Sequence, residues 1–145
     1  MKLLKLFIIL LPLQMFGQQY KWKRAILPAS LSFFAGASWG TNQTLEHHNV
    51  QFFRVFPNAN PRFWGVDSWR NKYNDFDPAN GRSAVPIWFT DGKHLTASAT
   101  QVLVFGAGLS IGIGEKRKWW MYAADIGISF AAYSLGNVLA YNVVF

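Results

Sequence analysis

The sequence predicts a mainly α, small helical membrane protein with about three long helices and an aromatic, turn-rich central loop. Three observations carry that prediction. Two stretches, Ala25 to Leu45 and His94 to Gly114, contain no charged residue, and a third, Trp119 to Phe145, contains only Asp125. Each is about as long as the ~20 residues that one bilayer crossing requires. Charged residues make up 14% of the chain while apolar residues make up 51%, and soluble domains ordinarily carry about 25% charge.

The order of elements starts with an export signal over residues 1–17. Lys2 and Lys5 form a basic start, Leu6 to Leu13 an apolar centre, and Met15-Phe16-Gly17 a cleavage site ending in a small residue. Met15 stands where a small residue is preferred, so an uncleaved anchor is the alternative. The remaining 18–145 then make one helical membrane domain. Its first long segment is interrupted by Ser30, Ser32, Ser38, Thr41, Asn42, Gln43 and Thr44, which suits a membrane helix with a polar face packed on partners or a helix buried in a soluble core. The pattern continues through Phe52 and Phe53 and should stop before Pro57, because a residue preceding proline is pushed out of the helical region.

Between 58 and 90 the texture changes. Asn58-Ala-Asn-Pro61 and Asp77-Pro-Ala-Asn-Gly81 are turn chemistry, and Ser68 to Tyr73 suits one or two helical turns with Trp69 and Tyr73 on one face. The loop is too aromatic for a disordered linker. Beyond it, Gly106, Gly108, Gly112 and Gly114 would weaken a helix in water but let helices approach closely in lipid. Glu115-Lys-Arg-Lys118 is a tight basic turn, and Trp119, Trp120 and Tyr122 resemble an interfacial aromatic belt. The last two long segments are therefore expected to form a helical hairpin. A strand reading competes, since Leu139, Tyr141, Val143 and Phe145 alternate. A closed barrel needs at least eight strands, and the chain does not supply them.

Two crossings separate Lys21–Arg24 from Lys116–Lys118, so both basic clusters lie on one side of the membrane and the loop on the other. Arg54, Arg62, Arg70, Lys72, Arg82 and Lys93 around the loop balance the ends in number, so the positive-inside rule does not choose a side. The basic residues form no single stripe with stacking aromatics, which argues against a nucleic-acid partner. The absence of cysteine excludes disulfides, thiolate catalysis and cysteine-ligated metals.

Three sets of residues offer chemistry or recognition. Glu46, His47, His48, Asp91 and His94 are types that hold zinc or iron, although their spacing matches no strong zinc motif. The plainer reading has Asp91 capping a helix by accepting from the amide near His94, and an Asp–His pair acting in acid–base work is a third. Asp125 inside an apolar segment is a candidate ion or proton group, with Asn137 or Asn142 near it, or else the ion-pair partner of Arg117 or Lys118. Trp64, Trp69, Arg70 and Tyr73, with Phe63 and Trp88, are the residue types that anchor protein interfaces. Asp75, Asp77 and Asn80-Gly81 lack the spacing and terminal Glu of a calcium loop, and no phosphate-cradling glycine loop is present.

Leu45-Glu-His-His48, Phe56-Pro-Asn-Ala-Asn60, Phe63-Trp64, Ser68 to Tyr73 and Thr90-Asp-Gly-Lys-His-Leu95 together resemble an uncharacterised group of small exported or membrane proteins of Bacteroidota and their phages. That resemblance implies a bacterial envelope setting and a mainly helical build, and it implies no activity. The expected function is a non-enzymatic envelope protein, in the inner membrane rather than the outer, which contacts lipid and binds an envelope protein or a second copy through its loop. The alternative is a membrane-embedded metal-dependent enzyme built on Glu46, His47 or His48, Asp91 and His94.

Overall fold

The long polar-faced helix lies between the two apolar ones. In the computed structural model, which describes residues 21–114 and 116–145, α1 spans Lys23–His47, α2 Asn49–Val55, α3 Pro61–Trp64, α4 Gly92–Gly112 and α5 Trp119–Val138. The expected signal segment lies outside the described residues. A π-helical turn, Leu139–Val144, carries α5 to the C-terminus. No strand forms among the described residues, and the only bridge there pairs Tyr73 with Arg82.

The first segment was expected to run unbroken past Phe52. It breaks instead at His48, whose backbone leaves the helical region at φ −137°, ψ 41°, and α2 restarts at Asn49. A second expectation also changes. α4 and α5 are joined by a short turn but scarcely touch, because α1 packs extensively against both of them. α1 runs antiparallel to α4, with Asn42 near Lys93 and Ala35 near Thr100. It runs parallel to α5, with Gly36 near Tyr133 and Gly40 near Ala140.

These two interfaces use different chemistry. Against α4, α1 makes polar bonds: Ser38 Oγ donates to the Thr96 carbonyl at 2.9 Å, and Asn42 Nδ2 donates to the Lys93 carbonyl at 2.7 Å and to Thr96 Oγ1 at 3.0 Å. Against α5, the helices meet backbone to backbone. A Cβ on Gly36 would lie 1.9 Å from the Tyr133 carbonyl oxygen, one on Gly136 would lie 2.1 Å from that of Phe33, and one on Gly40 would lie 2.8 Å from that of Asn137. Gly36 and Gly40 form a small-xxx-small pair, which lets two helices approach to backbone contact. Of the glycines expected to do this, Gly106 faces Leu31 of α1, with 3.6 Å from a Cβ placed there to the Leu31 side chain, while Gly108 and Gly112 face no other helix among the described residues. Nothing lies within 4 Å of a Cβ placed at Gly108 or Gly112.

Beside a small apolar core that includes Ala35, Leu45 and Phe52, many polar side chains are buried and many large apolar ones are exposed. The interior takes Ser32, Asn42, Thr44, Thr96, Thr100, Asp125 and Ser129, while Ile26, Phe34, Val102, Phe105, Leu109, Ile126, Phe130 and Leu135 are exposed. Buried polar groups and exposed apolar surface are the informative deviations from ordinary burial. Thr41, Thr44, Thr96 and Thr100 satisfy their hydroxyls on carbonyls four residues back in their own helices. α4 and the segment Trp119–Val144 are each long and apolar enough to cross a membrane.

Candidate functional site at the capped end

The loop between α2 and α4 folds into a cap over one end of the bundle through short turns, of which the longest, Val66–Lys72, is a 3-10 helix. Side-chain amides hold it down. Asn49 Nδ2 donates to the Trp64 carbonyl at 2.8 Å, and Asn71 Nδ2 donates to the carbonyls of Arg62 at 2.7 Å and Thr90 at 2.9 Å. The Trp64 ring lies over Gly92, where a Cβ would come within 2.1 Å of it. Trp64 also stacks on Phe52, which in turn stacks on Phe145 at the C-terminus. Trp64 is therefore part of the cap's seat.

The other three expected interface residues do come together. Trp69 and Tyr73 meet edge to face at 6.1 Å, Arg70 lies 5.4 Å from the Trp69 ring centre, and Lys72 lies 5.7 and 5.3 Å from the Trp69 and Tyr73 rings. Cation–π contact holds these long side chains against aromatic faces, giving a basic and aromatic patch on the outer surface of the cap.

Beneath the cap sits Asp91, with 0% exposure. Its Oδ1 accepts from the His94 amide at 3.0 Å, which is the expected helix cap, and its Oδ2 lies 2.6 Å from His94 Nδ1 and accepts from Thr90 Oγ1 at 3.1 Å. The first helical turn is thus fixed by a buried carboxylate. With Nδ1 committed to Asp91, Nε2 of His94 makes no hydrogen bond among the described residues, and the His94 side chain is 33% exposed. The remaining metal candidates do not join it. Glu46 and His47 are exposed at the end of α1, and His48 Nε2 pairs with the Tyr141 hydroxyl at 2.8 Å. Among the described residues no three His, Asp or Glu side chains are grouped to hold a metal ion.

An apolar cavity of about 680 Å³ opens beside the seat, walled by Phe52, Val55, Phe56, Trp64, Val144 and Phe145. Its lining offers little polar anchorage, and specific ligand sites carry a few convergent polar groups to fix orientation.

At the opposite end Lys23, Arg24 and Arg117 line one pocket, so the two basic clusters share that end as expected. Arg117 reaches from the turn to Asp125, which is 1% exposed, and also donates to the Ile111 carbonyl and lies over the Tyr122 ring at 4.4 Å. Burial disfavours the Arg117 charge, but hydrogen bonding to Asp125 and Tyr122 and the Asp125 charge outweigh it, holding the guanidinium above its usual pKa. Asp125 is accordingly an ion-pair partner that ties the α4–α5 turn to α5.

Glycines 36 and 40 are the residues that sequence reasoning passed over. Their four-residue spacing was readable, but the serines and threonines around them drew attention to hydrogen bonding. No family model, curated protein or solved structure matches this chain.

Proposed function

We propose that this is a non-enzymatic integral membrane protein of a bacterial cell envelope whose folded cap binds a protein partner. The observation that carries the membrane part is the burial pattern: polar side chains face each other inside, and large apolar side chains cover the outside of α4 and α5. A helical bundle satisfies its backbone internally and suits an inner membrane, whereas outer membranes take closed barrels. The partner surface is Trp69, Arg70, Lys72 and Tyr73, since aromatic and Arg side chains held rigid before contact bind at little entropic cost.

Two experiments test the two halves. Alkaline carbonate washing of cells that produce the full chain should leave it in the membrane pellet, and release into the supernatant would refute the membrane reading. A photo-crosslinking residue at exposed Val66, beside the patch, should give a discrete protein adduct that Trp69→Ala with Arg70→Ala abolishes. Adducts that survive both substitutions, or no adduct at all, would remove the patch as the binding surface.

A further inference from the structure

α4 turns a mixed polar and small face outward. Gln101 is exposed on it, and its amide has no hydrogen-bond partner among the described residues. Gly108 and Gly112 are exposed as well, with open space where a Cβ would stand. At 3.6 residues per turn these two glycines, seven and eleven residues on, lie within about 20° of Gln101 around the helix. Val104 and Phe105 flank the line and are also exposed.

The position of Gln101 along α4, Gly92–Gly112, decides what this face needs. At 1.5 Å per residue it stands roughly 14 Å from one end and 17 Å from the other. A membrane hydrocarbon core is about 30 Å thick, so a glutamine side chain reaches neither interface. Lipid offers it no donor or acceptor.

We propose that this face is where a second copy of the chain docks, α4 against α4, with Gln101 hydrogen-bonded to Gln101 of the partner subunit. The inference rests on the membrane reading above. Copies inserted by one route share an orientation, so two α4 helices meet in parallel about a two-fold axis along the membrane normal, and each position meets its own counterpart at equal depth. A primary amide both donates and accepts, so two glutamines at one depth satisfy each other. A lone charge or a donor-only group would not. Gly108 and Gly112 then let the two backbones close, as Gly36 and Gly40 do within the chain. α5 exposes Gly127 with similar open space, but its outward neighbours Ile126 and Phe130 carry no polar group that lipid would leave unmet.

The chain has no cysteine, so single cysteines report contacts cleanly. Full-length protein with Val104→Cys, in native membranes and in phosphatidylethanolamine–phosphatidylglycerol vesicles, should form a disulfide-linked dimer on mild oxidation, and Ile126→Cys should not. Gln101→Leu, which faces outward and leaves the monomer's own contacts intact, should weaken the dimer measured by energy transfer about tenfold, given the strength of interhelical polar bonds in lipid. Gly108→Ile should abolish it. A Val104→Cys protein that stays monomeric, links only to another protein, or dimerises as strongly with Gln101→Leu would overturn the proposal, as would equal linking through Ile126→Cys. Carbonate washing of the same samples separates the two readings. Retention in the pellet without the dimer refutes the dimer alone, and release refutes both.

Discussion

Two pairs of glycines with the same spacing meet different surroundings in this molecule. Gly36 and Gly40 on α1 are pressed against the backbone of α5, where a single added carbon would collide with carbonyl oxygens. Gly108 and Gly112 on α4 face outward with nothing beside them. The difference shows that a small-residue pair marks a place where a helix can be approached closely and does not say by what. The neighbours decide. Around Gly36 and Gly40 the helix carries Ser32, Asn42 and Thr44, which are buried by its own chain, whereas Gly108 and Gly112 share their face with exposed Val104, Phe105 and Gln101.

Single substitutions should lower the unfolding stability of the detergent-solubilised protein in graded steps. The largest loss should follow Arg117→Met, which takes the guanidinium away from the buried Asp125 carboxylate and from the Ile111 carbonyl and so loosens the α4–α5 turn. Removing one member of a buried pair costs about 3–5 kcal/mol. If stability changed by less than about 1 kcal/mol, the pair would not be what holds the turn. Gly36→Val should follow at about 3 kcal/mol, because overpacking here meets backbone that cannot turn aside. A near-neutral Gly36→Val would mean that α1 and α5 are not in backbone contact. Asp91→Ala should lose about 1–2 kcal/mol, the ordinary worth of a helix N-cap, and should shift the His94 ring resonances in NMR; unmoved resonances would contradict the Asp91–His94 pairing. Gly108→Val should change monomer stability by no more than about 0.5 kcal/mol. A loss there as large as that of Gly36→Val would show that the two pairs are equally buried.

Spans were legible in the sequence, and neighbours were not. Uncharged runs placed α1, α4 and α5 to within a few residues, and Asp91 three residues before His94 announced its cap. The reach of a long arginine from an adjacent turn made the Asp125 partner readable too. The order of packing was hidden, because a short connection between α4 and α5 suggests a hairpin, and only the small and polar face of α1 reveals that it fits between them. Trp64 and Trp69 look alike as residues, yet Gly92 gives Trp64 a flat seat to pack on, while Trp69 has cationic neighbours that hold it at the surface. Histidines close in sequence diverge because α1 ends at His47 and His48 turns toward Tyr141.

The central claim is that the outer surface of the bundle lies in hydrocarbon. Phe130, in the middle stretch of α5 and away from the α4 face, is 72% exposed, and a spin label at Phe130→Cys in lipid vesicles reads its surroundings by collision with oxygen, which concentrates in lipid, and with a water-soluble nickel chelate. The account predicts frequent oxygen collisions and almost none with nickel. Frequent nickel collisions at that site would place the helix in water and contradict it.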